Sequence, residues 1–179
     1  MRRLSASSLW LAEVCPAAFA LPVDEEPSTA DQAAGTGRHA FLSQIAGGAG
    51  REAALAKIPE GASWRATCEA LDLEALMPGD GARIEADLAH VLFASSASAE
   101  PIEVHGHRAY PVEHADAVPG TLDWLVTHAD GRVEVIDFKG EMEVDPAAEN
   151  LQLAHYALSV ARARQLEEID VTIAYLDRK

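Results

Sequence analysis

Residues 133–140 read Val-Glu-Val-Ile-Asp-Phe-Lys-Gly, "VEVIDFKG". Val133, Val135, Ile136 and Phe138 are β-branched or aromatic and Gly140 ends the run, the composition of a strand. Apolar residues fall on both faces, so the strand is expected to be covered on both sides. Asp137 and Lys139 nevertheless stand near its end, and a two-residue separation puts them on one face. A covered strand that presents a carboxylate beside an amine needs a reason.

The reason lies just upstream. Asp130-Gly131 is a hairpin signal, and "GTLDWLVT" (120–127) is the strand before it. Asp123 lies seven residues before Asp130, and Asp137 lies seven after it. A hairpin centred on Asp130-Gly131 therefore sets Asp123 level with Asp137. Two carboxylates so placed repel and raise each other's pKa unless a cation joins them. Carboxylate and carbonyl oxygens are the ligands that Mg²⁺ or Mn²⁺ prefers. Lys139, beside Asp137, is placed to orient a water or to steady developing phosphoryl charge. The plainer alternative is a surface ion pair at a strand end.

Outward from this hairpin the chain has two characters. Ser5 or Ser7 can cap a helix through Val14. "PVDEEPSTAD" (22–31) is a polar loop, Gln32 to Ile45 a helix closed by "GGAG", and residues 51–57 a further turn or two. Ser63 opens a third helix, through Met77, stopped by "PGDG" at 78–81. "ARIEADLAHVLFA" (82–94) alternates as a strand does, with Ile84, Ala86 and Leu88 on one face. Residues 95–119 read as an irregular excursion with room for one short strand. After "RVEVIDF", Pro146 is suited to a helix start, and that helix runs to Gln165. Its Leu151, Ala154, Leu158 and Ala161 form the expected core stripe. "DVTIAYL" (170–176) is a last strand. The expectation is one α/β domain over residues 1–179. Residues 1–80 are mainly helical; residues 82–177 form a mixed β-β-β-α-β sheet core with helix 146–165.

Bulk composition bounds the function. The chain has 179 residues, 49% of them hydrophobic, and a formal net charge of −15. That balance excludes a general nucleic-acid coat protein. It leaves room for an enzyme that meets DNA at one metal-loaded cleft. Cys15 and Cys68 make no paired framework, and a reducing, cytoplasmic setting is the default. Glu13 and Cys15-Pro16 interrupt the only run that mimics a signal peptide. No apolar run has the length of a membrane span.

"GTLDWLV", "VEVIDFKG" and "NLQLAHYAL" (150–158), in that order, resemble the RecB-like branch of the PD-(D/E)xK nuclease superfamily. "GTGRHAFL" (35–42) resembles the branch's upstream helix motif, and "SASSLWLAEVCPAAFAL" (5–21) its N-terminal one. The resemblance implies a restriction-endonuclease-like core and a metal-dependent, exonuclease-like deoxyribonuclease of recombination, repair or phage and defence systems. It implies Asp123, Asp137, the Phe138 backbone carbonyl and His39 as ligands of Mg²⁺ or Mn²⁺, with Lys139 as the residue that activates water. Gln152 and Tyr156, four apart on one helix face, would buttress the site or touch the phosphodiester backbone. The cysteines that hold an iron–sulfur cluster in some relatives are absent apart from Cys15, so no cluster is expected.

Other residues stay open. Glu85 stands on a neighbouring strand and is a further metal candidate. His105, His107 and His114 in "EVHGHRAYPVEH" (103–114), with His128 or Glu113, offer an alternative zinc site. Arg162 and Arg164 suit the negative end of their helix. A non-catalytic nuclease-fold module that binds nucleic acid or a protein is the other alternative. The acidity also suggests a basic protein partner, or a homo-oligomer, to supply grip on DNA.

Overall fold

Five strands form one mixed sheet, sandwiched between helices, in a computed structural model that describes residues 4–15, 17, 29–93, 101–106, 116–140 and 146–176. The strands are β1 (Arg83–Phe93), β2 (Ile102–His105), β3 (Ala117–Thr127), β4 (Val133–Lys139) and β5 (Asp170–Tyr175), in spatial order β2-β1-β3-β4-β5. All neighbours are antiparallel except β4 and β5, which are parallel. A parallel pair needs a crossover, and helix α6 (Leu151–Arg164) supplies it. The N-terminal helices are α1 (Leu9–Val14), α2 (Ala30–Ala46), α3 (Arg51–Leu55), α4 (Arg65–Ala70) and α5 (Leu73–Leu76). This is the α/β fold with flanking helices that the strand order implied.

Each sheet face has its own core. Phe41, Leu42 and Ile45 of α2 pack with Trp124, Val126, Ile136 and Phe138 on one side. Leu153, Tyr156 and Val160 of α6 pack with Leu122, Leu125, Val133 and Val135 on the other. Trp124 meets Phe138 edge to face, ring centroids 4.9 Å apart, the arrangement aromatic quadrupoles favour.

The structure corrects several expectations. The helix over 63–77 is two short ones, because the chain turns extended at Leu71 to bury that side chain. The Asp72 side chain then caps α5 by accepting the Ala75 N–H. The Arg51 guanidinium takes the carbonyls of Cys68, Glu69 and Leu71 that the break leaves over. Strand β3 begins before Gly120 and runs through Pro119. Its partner β4 pairs only with residues 124–127, so the missing Pro119 N–H faces no ladder on that side. The helix expected from Pro146 is a 3₁₀ turn at Ala147–Glu149 followed by α6, whose N-cap is Asn150, with its side chain on the Leu153 N–H at 3.1 Å. The stripe Leu151, Ala154, Leu158, Ala161 is not the core face. Leu151 and Leu158 are exposed, and Leu153, Tyr156, Ser159 and Val160 are buried instead. Polar Ser159 and His155 on that inner face hid it from the apolar pattern.

Strand β1 departs from simple alternation. Asp87 has φ +54°, a left-handed conformation that aspartate tolerates better than most residues. Ile84 and Ala86 point to the α2 side, yet Leu88 points to the α6 side. Strand β3 switches at the same level: Trp124 faces α2, and Leu122 faces α6. The β1–β3 register passes from Ala86↔Trp124 to Leu88↔Leu122 with no rung at Asp87 and Asp123.

Candidate active site

The break at Asp123 lies where β3 parts from β4. The last rung is Trp124↔Ile136, so one step further sets Asp123 level with Asp137. The two strands separate there, and the Asp123 side chain fills the gap. Its Oδ2 accepts the Phe138 backbone N–H at 2.8 Å, and its Oδ1 accepts from His39 Nδ1 at 2.6 Å. Asp123 thus binds both layers, since His39 comes from α2. Within a strand, N–H and C=O of one residue point the same way, so the Phe138 carbonyl is directed toward this same gap.

Asp137, 3% exposed, faces α6. Lys139 Nζ lies 2.7 Å from its Oδ2. The lysine occupies this oxygen as a close ion pair, although the angle is poor for a hydrogen bond. Gln152 Nε2 donates to Asp137 Oδ1 at 3.4 Å and to the Tyr156 hydroxyl at 2.9 Å. Lys139 Nζ donates to Gln152 Oε1 at 3.2 Å. One amide therefore holds acid, amine and phenol in a fixed order.

Gly120 makes room for this chain. A Cβ there would lie 2.5 Å from Tyr156 Cε1 and 2.7 Å from the Ala6 Cβ, so only glycine admits the tyrosine ring and the N-terminal turn together.

The electrostatics set Asp137 apart. Burial raises its pKa, and the Asp123 charge adds to the rise while Lys139 opposes it. Burial alone would lower His39, but its hydrogen bond to Asp123 and the charges of Asp123 and Asp137 raise it overall. Both shifts report negative charge held out of water.

Among the described residues no three His, Cys, Asp or Glu side chains converge as a preformed metal cluster: His39 Nδ1 is engaged by Asp123 rather than aimed beside it. The donors nonetheless fit a hard divalent ion. Two level carboxylates, one of them buried beside Lys139, and a backbone carbonyl are the oxygen chemistry such ions select.

The sequence candidates divide cleanly. His39, Asp123, Asp137, Lys139, Gln152 and Tyr156 form one connected set. Glu85 does not join it. Arg164 binds it through Nη1 to Oε1 at 2.8 Å and Nη2 to Oε2 at 3.1 Å, and Arg83 adds a third contact. Arg164 therefore does more than face its helix terminus; it also holds Glu103 on β2. His105, at the end of β2, lies 3.8 Å from Glu85. His128 pairs with Glu134 on β4 instead. His107, Glu113 and His114 lie outside the described residues. A contact the sequence gave no notice of is Ser43 Oγ to Asp87 Oδ2. The available signal was Ser43 standing four residues after His39, on the same helix face.

With this geometry in place, comparison with known proteins adds the class. The family model of the PD-(D/E)XK nuclease superfamily matches residues 3–179, and the chain belongs to that superfamily. Its members are typically nucleases that cut phosphodiester bonds and use a divalent metal. No curated protein matches the chain significantly. Among the described residues no helix is long and apolar enough to cross a membrane.

Proposed function

We propose that this chain is a Mg²⁺- or Mn²⁺-dependent deoxyribonuclease of the RecB-like type. It acts end-wise on DNA in a recombination, repair or defence setting. The observation that carries this reading is the level pair Asp123–Asp137, one carboxylate buried and ion-paired to Lys139.

Asp123, Asp137, the Phe138 carbonyl and His39 are the groups that would hold the ion. A bound divalent ion supplies Lewis-acid polarisation of the phosphoryl group. The chain's own residues do the rest. The Phe138 N–H and His39 fix both oxygens of Asp123, so its remaining lone pairs have one direction. Lys139, held by Gln152 and Asp137, orients the attacking water and offsets charge gathering on the phosphoryl oxygens. Gln152 keeps Lys139 from folding down wholly onto Asp137, and Tyr156 anchors Gln152. With a net charge of −15, grip on the rest of the DNA comes from a basic partner protein or from assembly of several copies.

The test is cleavage of labelled linear single- and double-stranded DNA with Mg²⁺, Mn²⁺ or chelator. Metal-dependent cutting by the wild type, lost in Asp137→Ala, is expected. Chelator-resistant cutting, or full activity in Asp137→Ala, overturns the reading.

A further inference from the structure

The site described so far ends at His39, but α2 makes a second polar contact with the sheet. Ser43, one turn beyond His39, donates its hydroxyl to Asp87. Asp87 stands on β1 at the unpaired level opposite Asp123. Both strands switch faces at this level, and each sends its aspartate to α2: Asp123 to His39, Asp87 to Ser43. Residues four apart share one helix face, so the two contacts are successive ties between one helix and one break in the sheet.

Asp87 is also locked in place. Its left-handed φ of +54° is a conformation that an L residue keeps only when its surroundings enforce it. Its carbonyl accepts the Gly106 N–H at 3.1 Å, just past the end of β2. A strand that broke here merely from poor packing would not direct a carboxylate into a helix hydroxyl.

We infer that Asp87 and Ser43 are positioning residues: Phe41, Leu42 and Ile45 seat α2 on the sheet, and the Ser43–Asp87 contact sets its final rotation, and through it the His39–Asp123 contact at the site. The inference rests on the nuclease reading for its importance, but not for its geometry. Neither residue touches the reacting atoms. Loss of their contact lets α2 shift on the sheet, and displacement of catalytic groups by about 1 Å can cost up to roughly a hundredfold in rate.

The experiment has two independent readouts on purified full-length protein. The first is the ¹⁵N and ¹H signal of the His39 imidazole at fixed pH in chelator, which reports the Nδ1–Asp123 hydrogen bond without metal or substrate. The second is kcat and KM for metal-dependent DNA cleavage. Asp87→Ala and Ser43→Ala are expected to shift the His39 signal toward that of a solvent-exposed imidazole. They should lower kcat roughly tenfold to a hundredfold with KM little changed. Asp87→Asn retains an acceptor and tolerates positive φ, and Ser43→Thr retains the hydroxyl, so both should restore both readouts. Asp87→Gly relieves backbone strain without restoring the contact, and should not restore either. An unchanged His39 signal in folded Ser43→Ala and Asp87→Ala overturns the inference, as does full restoration by Asp87→Gly. Should Asp87→Ala fail to fold, Ser43→Ala, at a partly exposed helix position, carries the test alone. Absence of cleavage in the wild type would remove the nuclease reading, while the His39 signal would still decide the positioning role.

Discussion

Two buried carboxylates on the α6 side of one sheet meet opposite fates. Glu85 on β1 receives Arg164 through both oxygens, and Arg164 also holds Glu103. The hydrogen bond from Arg164 outweighs burial, and Glu85 is held below its ordinary pKa. Asp137 on β4 has a single lysine against one of its oxygens, at 2.7 Å, and Asp123 level with it. Burial dominates, and its pKa is raised. The first cluster is compensated within the fold and fastens edge strand β2 to the crossover helix. The second is left in need of positive charge. Both acids are buried, yet their pKa values move in opposite directions; on the proposed function that difference parts the acid kept for the fold from the acid kept for the metal.

The largest test of that contrast exchanges the fates. Asp137→Asn should lower cleavage by about 10³-fold yet raise the unfolding temperature in chelator. Its folded pKa lies above the unfolded one, so the ionised form at neutral pH costs stability that the amide recovers. Glu85→Gln should do the reverse: cleavage retained, with stability down by about 2–3 kcal/mol. That is below the full cost of a wholly buried broken pair, since Glu103 still holds Arg164. A destabilised Asp137→Asn in thermal melts would break the comparison.

A middle-sized effect comes from two histidines beside the compensated cluster. His90 hydrogen-bonds Ser159 at 3.1 Å, and His155 bonds the Val118 carbonyl at 2.9 Å. Burial lowers both from 6.5 to about 4; at His90 the charges of Glu103, 3.2 Å away, and Glu85 oppose it and that of Arg164 adds to it, and at His155 the His90 charge adds to it. The unfolded chain therefore binds protons below pH 6.5 that the folded chain refuses until about pH 4. Stability should fall as pH drops through that window, by on the order of 3 kcal/mol per ring. Denaturant titrations of wild type and His155→Gln at pH 7 and pH 4.5 check this; the variant should lose less. An equal pH slope in both would contradict it.

The smallest effect compares the two cations. Arg164→Lys replaces a two-pronged contact with a point charge. It should cost about 1 kcal/mol in denaturant midpoint without touching cleavage. Lys139→Gln should remove cleavage, and because it strips buried Asp137 of its cation, it should also cost more stability than Arg164→Lys does.

Much of the candidate site's geometry was legible because it follows the hairpin. Asp130-Gly131 fixes the register, and the register places Asp123 and Asp137. The i, i+4 spacing on α6 placed Gln152 with Tyr156. The core face of α6 was illegible because Ser159 and His155 carry polar atoms inward, while Leu151 and Leu158 carry apolar ones outward. The partner of Glu85 was hidden for a different reason. Strand parity gives a face but not a partner, and its partner Arg164 lies far along the chain. The switch at Asp87 was hidden as well, since alternation through residues 84–88 reads as unbroken until a single positive φ reverses it.

The contrast between the two acids is tested most directly by calorimetric titration of Mn²⁺ into wild type, Glu85→Gln and Asp137→Asn. Wild type and Glu85→Gln should bind the ion with the same affinity, and Asp137→Asn should give no binding heat. Absence of binding to the wild type, wild-type affinity in Asp137→Asn, or loss of binding in Glu85→Gln would contradict the assignment of Asp137 to the metal and Glu85 to the fold.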